Sequence, residues 1–291
     1  MTNRLELNWN ADGFFDEQRY YCSTSTIDVN ALPSPKAVLA NDVRTYVDTE
    51  ITAGQTYYVR VSTVKNGVEK VSAETRIIAV TYKELILLHN PVAYYPLNEE
   101  TGTVAVDVAA SPANGAITNC LLGQTALSKN LGKCYYFNGN AKIELSTSSK
   151  FAISGAITYE TWFKGTITSG NSIAIGYNAG LRIQISGSIN VIFSNANQLS
   201  SPTLSSNTLY HIVVVCTSSN LKIYVNGALI ASKSTTAWTG MQSIVTPTIG
   251  SSGSENNGGE YIAGYISNSA LYDYELTQEQ ISAHYNLRIA A

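Results

Sequence analysis

The feature that most constrains the fold is a regular series of short, strand-like segments between residues 134 and 272. The connections are rich in Gly, Asn and Ser, and two of them carry the dipeptides Asn138-Gly139 and Asn226-Gly227, which are typical of tight hairpin turns. Strands at this spacing, with turn signals between them, predict an antiparallel sandwich. The predicted strands are Cys134–Phe137, Ala141–Leu145, Ala156–Lys164, Ser172–Tyr177, Gly180–Ser186, Ser188–Ser194, Leu209–Thr217, Leu221–Val225, Ala228–Ser232, Ser243–Gly250 and Tyr261–Tyr272.

A second, smaller set of strands is predicted in residues 5–80. Leu5, Leu7 and Trp9 alternate with polar residues, which is the pattern of a half-buried strand, and Asn66-Gly67 is a strong hairpin signal. A chain of 291 residues also exceeds the usual size of one domain. We therefore expect a small antiparallel sandwich followed by a larger one. The further strands predicted in the small sandwich are Arg19–Ser25, Thr45–Asp48, Gln55–Val64 and Ser72–Val80.

A short helix is predicted near the C-terminus. In the run LTQEQISAHYN, Thr277 suits a helix N-cap and Gln280 follows three residues later, which is the spacing of a capping box. The whole pattern predicts an all-β chain with one closing helix.

Charge and hydropathy argue against several classes of partner. Only 13% of the residues are charged, the net charge is −3, and the Lys and Arg residues are scattered, so we expect no nucleic-acid partner. No stretch reaches the ~18–20 apolar residues of a membrane helix, so we expect no membrane insertion. The N-terminal sequence lacks the layout of a signal peptide, which predicts folding in a cytoplasm or a leader that has been removed.

The four cysteines, Cys22, Cys120, Cys134 and Cys216, lack the C-x-x-C spacing of a metal site. A disulfide between Cys120 and Cys134 is an alternative that spacing leaves open. We favour four free thiols, because free cysteine often serves as a small buried apolar residue.

The longer part of the chain resembles the concanavalin A-like, laminin G-like jelly-roll domains. The resemblance begins at YKELILLHNPVAYYPLNEETGTVAVD and covers Tyr82 to Asn286. It implies a large jelly-roll sandwich over residues 82–291, with residues 82–91 as the joint between domains and Trp162 in the core. The later motifs that carry it are YYFNGNAKIEL, ITYETWFK, LYHIVVVCTSSNLKIYVNGALIAS and GYISNSALYDYELTQEQISAHYN.

Residues 1–81 resemble a fibronectin type III domain through TYVDTEITAGQTYYVRVSTVKNGVEKVS. The resemblance implies that Tyr57 is the tyrosine corner, its hydroxyl bonded to upstream backbone, and that Trp9 is the core tryptophan. The family's first strand is missing, so the strand at Leu5–Trp9 is expected at a sheet edge. Either the chain is cut from a longer protein, or another chain or a remote segment supplies the strand. The second alternative predicts a homo-oligomer or a larger assembly.

Catalytic residues are sparse in the jelly-roll part. Glucanases of this fold carry acids in an E-x-D-x-x-E arrangement on one strand, whereas the matching strand here carries only Glu160. The three histidines, His89, His211 and His284, have no G-x-S-x-G or H-E-x-x-H motif beside them. We expect Glu160 and the histidines to be structural, and the chain not to be an enzyme.

A weak structural Ca²⁺ site is a further implication of the jelly-roll resemblance, since relatives often hold calcium with an Asp, loop carbonyls and a later acid. Asp107 and the Asn114-Gly115 turn match, but Ser267 and Asn268 stand where the acidic pair is usual. Hard cations prefer oxygen ligands, so Asp107, Asn114 and Asn268 are the predicted metal ligands. The alternative is that Asp107 caps a turn.

Ligand recognition is the remaining kind of chemistry. Sugar sites combine an aromatic platform with amide and hydroxyl groups on rigid loops, and tyrosine is abundant, with 19 residues against six Phe and three Trp. The best polar-aromatic loops give Tyr177, Asn178, Trp238, Asn256 and Tyr261 as predicted ligand-binding residues. The alternative for each is an ordinary solvated turn, and Trp238 could pack under its loop.

The combination of the two domain types resembles bacteriophage virion proteins. It implies a non-catalytic tail-fibre or tail-tip module, located in the virion, that recognises a cell-surface polysaccharide or lipopolysaccharide and contacts other virion proteins. A structural decoration or tail component without sugar binding is one alternative. A carbohydrate-binding appendage of a secreted bacterial protein, or an adhesin, is another; both are extracellular.

Overall fold

The computed structural model divides the chain into two compact units, residues 1–84 and residues 85–289. It describes residues 5–52, 55–167, 171–172, 181–193, 196–235, 237–241, 246–251 and 260–288.

Seven strands form two sheets in the described part of the first unit. Strands β1 and β4 pair with each other, and β5 pairs with β2, β6 and β7, with β3 on the far side of β2. Side chains from both sheets share one apolar core, which includes Leu5, Tyr20 and Val59. The strands are β1 Leu5–Asn8, β2 Glu17–Ser23, β3 Ala37–Ala40, β4 Thr45–Asp48, β5 Thr56–Lys65, β6 Val68–Val71 and β7 Thr75–Ile78.

The structure agrees with the fibronectin resemblance for the Tyr57 contact but not for the burial of Trp9. The Tyr57 hydroxyl accepts a hydrogen bond from Thr52 N at 3.0 Å, which is the upstream backbone contact expected of a tyrosine corner. Trp9 is only half-buried and lies outside the core cluster, and its ring N–H donates to Gln18 Oε1 at 2.7 Å. Among the described residues β1 pairs only with β4, which leaves β1 at a sheet edge. The fibronectin type III relationship itself stays a prediction.

The unit boundary falls inside a short helix, α1, which covers Tyr82–Leu88. No helix was predicted for this stretch, which was expected to be part of the joint between domains over residues 82–91. Thr81 and Glu84 supply the local signal, because Glu84 N donates to the Thr81 hydroxyl at 3.2 Å and Thr81 N donates to the Glu84 carboxylate at 2.8 Å. This reciprocal pair is a capping box.

The second unit is a large β-sandwich closed by helix α2. The larger sheet has the order β11-β12-β23-β14-β19-β20-β21, with β8 also on β23; the other strands form β22-β13-β10-β9 and β15-β16-β17-β18. One apolar core draws side chains from all three sheets. The elements are β8 Ala93–Tyr95, β9 Val104–Ala105, β10 Gly115–Thr118, β11 Leu121–Gln124, β12 Cys134–Asn138, β13 Lys142–Leu145, β14 Ile157–Gly165, β15 Asn171–Ser172, β16 Arg182–Ile185, β17 Ile189–Phe193, β18 Ala196–Ser200, β19 Tyr210–Cys216, β20 Asn220–Val225, β21 Ala228–Ser234, β22 Thr248–Ile249, β23 Ala263–Tyr272 and α2 Gln278–Leu287.

Most predicted strands of this unit are present within a residue or two of their predicted bounds. Strands β10 and β11 were not predicted, because their runs GAIT and LLGQ contain few β-branched or aromatic residues and depend on pairing with β13 and β12. The Asn226-Gly227 turn has positive φ at both residues, 54° and 80°, as a two-residue hairpin of type I′ requires.

Helix α2 confirms the predicted closing helix. The Thr277 hydroxyl accepts from Gln280 N at 3.2 Å, and Thr277 N donates to Gln280 Oε1 at 2.9 Å. Ile281 and His284 form its buried side. In the described part of the chain, the helices are too short and too polar to traverse a lipid bilayer. All four cysteines are free thiols, as favoured above.

The central strand β14 has two buried faces. Ile157, Tyr159 and Phe163 point into the main core, whereas Glu160 and Trp162 point to the opposite, outer face of the larger sheet, because successive side chains alternate across a strand. Trp162 is fully buried, as predicted, but on this outer face rather than in the apolar core cluster.

Candidate functional site

A buried carboxylate with two histidines lies on the outer face of the larger sheet. Glu160 from β14 is fully buried, and its Oε1 lies 2.7 Å from His211 Nε2. His284 from α2 approaches the same carboxylate, with Nδ1 2.9 Å from Oε2 and 3.1 Å from Oε1. The Tyr272 hydroxyl donates to Oε2 at 3.2 Å. The single acid of the central strand is therefore fully engaged by its neighbours.

The third histidine extends this cluster. His89 Nδ1 lies 2.7 Å from His284 Nε2, so one of the two rings donates to the other. The Tyr274 hydroxyl donates to the His89 backbone carbonyl at 2.6 Å, which holds the segment in place. All three histidines of the chain thus belong to one hydrogen-bonded series, in the order His89, His284, Glu160 and His211.

Strand register and helix period explain why these residues meet. His211 lies directly opposite Trp162 on the neighbouring strand β19, and Glu160 precedes Trp162 by two residues on the same face. On α2, Ile281 and His284 are three residues apart and therefore share the side turned to the sheet.

Stacked rings surround the carboxylate. The His211 ring stacks on Trp162 with centroids 4.6 Å apart, and Tyr285 stacks beyond them at 6.1 Å from each. The Arg288 guanidinium lies 3.6 Å from the Tyr285 ring centroid, within the range of a cation–π contact. These layers leave the Glu160 carboxylate no exposed surface.

Electrostatics keep Glu160 ionised. Burial by itself would raise the pKa of Glu160, but the charge of His284 and hydrogen bonds from His211 and His284 hold that pKa well below its ordinary value of 4.5. Burial lowers the pKa of His211 below 6.5, even though Glu160 acts in the opposite direction. The His211 Nδ1 atom is buried without a hydrogen-bond partner. A general acid must hold a proton near neutral pH and reach its substrate, and Glu160 does neither.

The predicted platform residue Trp238 lies in the core. Its side chain is 4% exposed, its ring N–H donates to Gly155 O at 2.7 Å, and Phe193 packs edge-on against it at 5.4 Å. This burial does not fit the exposed stacking ring predicted from the polar residues around Trp238. The groups that cover the ring are remote in sequence, so local composition could not reveal them.

Among the predicted ligand-binding residues that the structure describes, Tyr261 is the one with a partly exposed side chain. The predicted residues Tyr177, Asn178 and Asn256 lie outside the described residues. Glu260, the neighbour of Tyr261, accepts from Arg182 at 3.3 Å and from Gln184 at 3.4 Å. Arg182 and Gln184 occupy the outward face of β16, because the alternating Ile183 and Ile185 enter the core. Tyr261 therefore lies next in sequence to a cluster of planar hydrogen-bonding groups, a residue mixture suited to sugar hydroxyls.

The predicted calcium ligands are engaged in other contacts. Asp107 is buried, and its carboxylate accepts backbone N–H groups from Tyr94, Ala109 and Ala113 at 2.9–3.0 Å. The Lys150 ammonium contacts the same carboxylate and donates to Ser111 O at 2.6 Å. A cation of the protein itself already neutralises Asp107, so this donor set does not fit a calcium ion bound there.

The other two predicted ligands do not complete a site. Asn114 Oδ1 accepts from Asp107 N at 3.0 Å, whereas Asn268 bonds to the Tyr94 hydroxyl at 2.5 Å and to Leu131 O at 2.8 Å. Among the described residues, no group of three or more His, Cys, Asp or Glu side chains is arranged to hold a metal ion.

The convergence of His211 and His284 on Glu160 was not predicted from the sequence. Each lies in a motif of the jelly-roll resemblance, ITYETWFK for Glu160, LYHIVVV for His211 and ISAHYN for His284. Polar residues placed in otherwise apolar strands and on the buried side of a helix were the available signal, since buried charges are normally paired.

Comparisons with known proteins agree with this architecture. Solved structures similar to this chain include the ligand binding domain of botulinum neurotoxin serotype D in complex with N-acetylneuraminic acid, at 18% identity and TM-score 0.52, covering 69% of this chain and 51% of that one. The binding domain of Paraclostridial Mosquitocidal Protein 1 is similar at 16% identity and TM-score 0.53, covering 69% and 52%. The botulinum neurotoxin serotype C1 binding domain is similar at 15% identity and TM-score 0.53, with the same coverage.

The chain spans about half the length of these solved structures, and at such identities the likeness is one of fold. No curated protein matches the chain. A family model described as the concanavalin A-like lectin/glucanases superfamily matches residues 137–282, which is 146 of the 291 residues. This stretch contains β13 to β23 and the Glu160, His211 and Trp162 cluster. The chain belongs to the concanavalin A-like lectin/glucanases superfamily.

Proposed function

We propose that this chain is a non-catalytic carbohydrate-binding module that recognises a cell-surface glycan. The superfamily contains both lectins and glucanases, so membership alone does not choose between binding and cleavage. The choice of binding over cleavage rests on the burial and ionisation of Glu160. The acid of the central strand is buried, ionised and bonded to His211 and His284, so it is not available to a substrate.

Cleavage of a glycosidic bond normally needs two carboxyl groups about 5–9.5 Å apart on either side of the scissile bond. Strand β14 carries Glu160 as its single acid, and that acid points to the face covered by α2. Its hydrogen bonds serve to join α2 to the sheet. A structural role for Glu160 and a binding role for the chain are mutually consistent.

The comparisons with known proteins support a binding role in general, without identifying the receptor. The similar solved structures are described as ligand binding, receptor binding or binding domains, and one of them is in complex with N-acetylneuraminic acid. We extend to this chain only the class of ligand, a glycan on a cell surface. Tyr261 with Arg182, Gln184 and Glu260 offers an aromatic ring and planar hydrogen-bonding groups for this purpose.

We further propose that the chain acts in a phage virion, as a tail-fibre or tail-tip component in contact with other virion proteins. The support is the order of a small sandwich followed by a superfamily jelly roll, together with the sequence resemblance. The competing assignments are a structural virion component that binds no sugar and an appendage of a secreted bacterial protein.

A glycan array with the purified chain tests the binding role, and reducing-sugar release from the same glycans tests catalysis. We expect saturable binding to at least one class of bacterial or host surface glycan and no release of reducing ends. Release of reducing ends that is lost in an E160Q variant would contradict the non-catalytic assignment. Immunogold labelling of virions whose genome encodes the chain would test the tail location.

A further inference from the structure

Four side chains form a row across the outer face of the larger sheet. Leu121 on β11 pairs with Tyr136 on β12, Tyr136 pairs with Tyr265 on β23, and Tyr265 pairs with Lys164 on β14. Neighbouring strands are about 4.8 Å apart, so the row is roughly 14 Å long. We call these four residues the tyrosine row.

The tyrosine row points away from the core. Its sequence neighbours Tyr135, Phe137, Phe163 and Ile266 all belong to the apolar core, and alternation sends the row to the other side. Leu121 is 54% exposed, Lys164 is exposed, and the two tyrosines are partly exposed. The row is thus an accessible strip held on four paired strands.

The polar groups of the row have no partners within the described structure. The Tyr136 and Tyr265 rings contact each other at 5.0 Å with a 52° tilt, and this is the only interaction recorded for either side chain. By contrast, the hydroxyls of Tyr94 and Tyr159 bond to Asn268 and Ser269. Cross-strand ring contact alone would stabilise the sheet equally well with phenylalanine, and the partly exposed hydroxyls and the exposed Lys164 ammonium are accessible to a bound ligand.

We propose that the tyrosine row binds a carboxylate-bearing saccharide. The tyrosine rings supply apolar faces for the C–H surface of pyranose rings, and their hydroxyls can exchange hydrogen bonds with sugar hydroxyls. Lys164 supplies a positive charge at one end, which favours an acidic sugar over a neutral one. This inference rests on the proposed glycan-binding function and places the ligand on the outer face of the larger sheet.

A second protein chain fits the row less well. A stable protein interface buries about 800 Å² on each partner, whereas the row is one residue wide and roughly 14 Å long. We therefore do not expect self-association through the tyrosine row, but the experiment must be able to detect it.

The experiment measures binding by calorimetry with two acidic probes and their matched neutral forms. Tetragalacturonate is paired with its methyl ester, and 3′-sialyllactose is paired with lactose, so the arms separate uronic from sialic acid as the source of the carboxylate. We expect an acidic probe to bind more tightly than its neutral partner, with a preference that weakens as salt is raised.

Substitutions in the tyrosine row test whether the row is the binding site. We expect Y136A and Y265A each to weaken binding roughly tenfold, and Y136F or Y265F to weaken it about threefold by loss of a hydroxyl. K164Q should abolish the preference for the acidic probe. K233Q, on the exposed strand β21, removes the same charge elsewhere and serves as the control, as does Y58A in the first unit. Circular dichroism checks that each variant is folded.

The outcomes are distinct. Acidic glycan binding that is unchanged in Y136F, Y265A and K164Q overturns the tyrosine row and leaves the proposed function intact. Absence of binding to every acidic and neutral probe, and to the glycan array, overturns both. A concentration-dependent dimer in native mass spectrometry that Y136A abolishes would assign the row to self-association and also overturn the proposal.

Discussion

His284 Nδ1 lies 2.9 Å from Glu160 Oε2, so the closing helix is bonded to the central strand through residues 124 positions apart in the chain. The contact is wholly buried on both sides. An ionised carboxylate in such a place is tolerated only when its hydrogen bonds are satisfied. The relationship therefore links the docking of α2 to the charge state of the cluster, and the first two predictions follow from it.

The first prediction concerns Glu160 itself. We expect E160A to lower the free energy of unfolding by about 3–5 kcal/mol, because it leaves His211 and His284 buried without their shared acceptor. E160Q keeps the shape and one acceptor oxygen, so its loss should be smaller. Urea denaturation of the three proteins measures both differences. Equal stability of E160A and the wild type would show that the carboxylate does not hold α2.

The second prediction is acid sensitivity. Burial holds the pKa values of His211 and His89 below 6.5, so their contribution to folding is present above pH 6.5 and is lost as the pH falls below it. The lowered pKa of Glu160 adds a contribution that is lost below pH 4.5. Burial raises the pKa of the nearby Tyr94 well above its ordinary value of 10, so Tyr94 does not titrate in this range. We expect the Tm to fall by several degrees between pH 7 and pH 5, and further below pH 4.5.

Thermal melts followed by circular dichroism from pH 8 to pH 4 test this sensitivity. The variant H89Q keeps the His89 backbone carbonyl that Tyr274 uses and removes one titrating ring. Its Tm should fall less steeply between pH 7 and pH 5 than that of the wild type. A wild-type Tm that is constant down to pH 5 would contradict the assigned direction of the histidine pKa values.

The third prediction concerns Lys150 and Asp107. We expect K150M to lower the free energy of unfolding by about 3 kcal/mol or more, because it leaves a buried carboxylate without its cation. The matched control is K142M, which breaks a partly exposed pair with Glu144 and should cost under about 1 kcal/mol.

Metal dependence follows from the same contact. Because Lys150 occupies the place of a cation, we expect the wild-type Tm to change by no more than about 1 °C on addition of EDTA or of millimolar Ca²⁺. A bound metal would instead change the Tm by roughly 2–4 °C for each kcal/mol by which it stabilised the fold. A wild-type Tm that drops by ten degrees in EDTA would instead support the calcium site predicted from sequence.

The fourth prediction concerns Trp238. We expect W238A to destabilise the fold by about 3–5 kcal/mol, as for other buried tryptophans. W238F should cost less, since it keeps an aromatic ring and loses the hydrogen bond to Gly155 O. Unchanged glycan affinity of folded W238F would fit a core residue. A large loss of affinity at unchanged stability would restore Trp238 as a ligand contact.

Much of the fold could be predicted because the relevant signals are local. The alternation of Leu5 and Leu7 in β1, the Asn226-Gly227 turn and the Thr277–Gln280 capping box depend on residues a few positions apart. The candidate site could be predicted far less well. Trp238 was expected at the surface because its neighbours are polar, and its burial comes from Phe193 and Gly155.

By itself, the sequence determined the all-β class and the closing helix, because periodicity, turn chemistry and capping depend on near neighbours. Only the tertiary structure decided that His211 and His284 meet at Glu160 with His89 bonded behind His284, that Lys150 neutralises Asp107, and that Tyr136, Tyr265 and Lys164 align across the sheet. The physical reason is strand register. Pairing between strands more than 100 residues apart sets which side chains share a face, and no local pattern specifies that pairing.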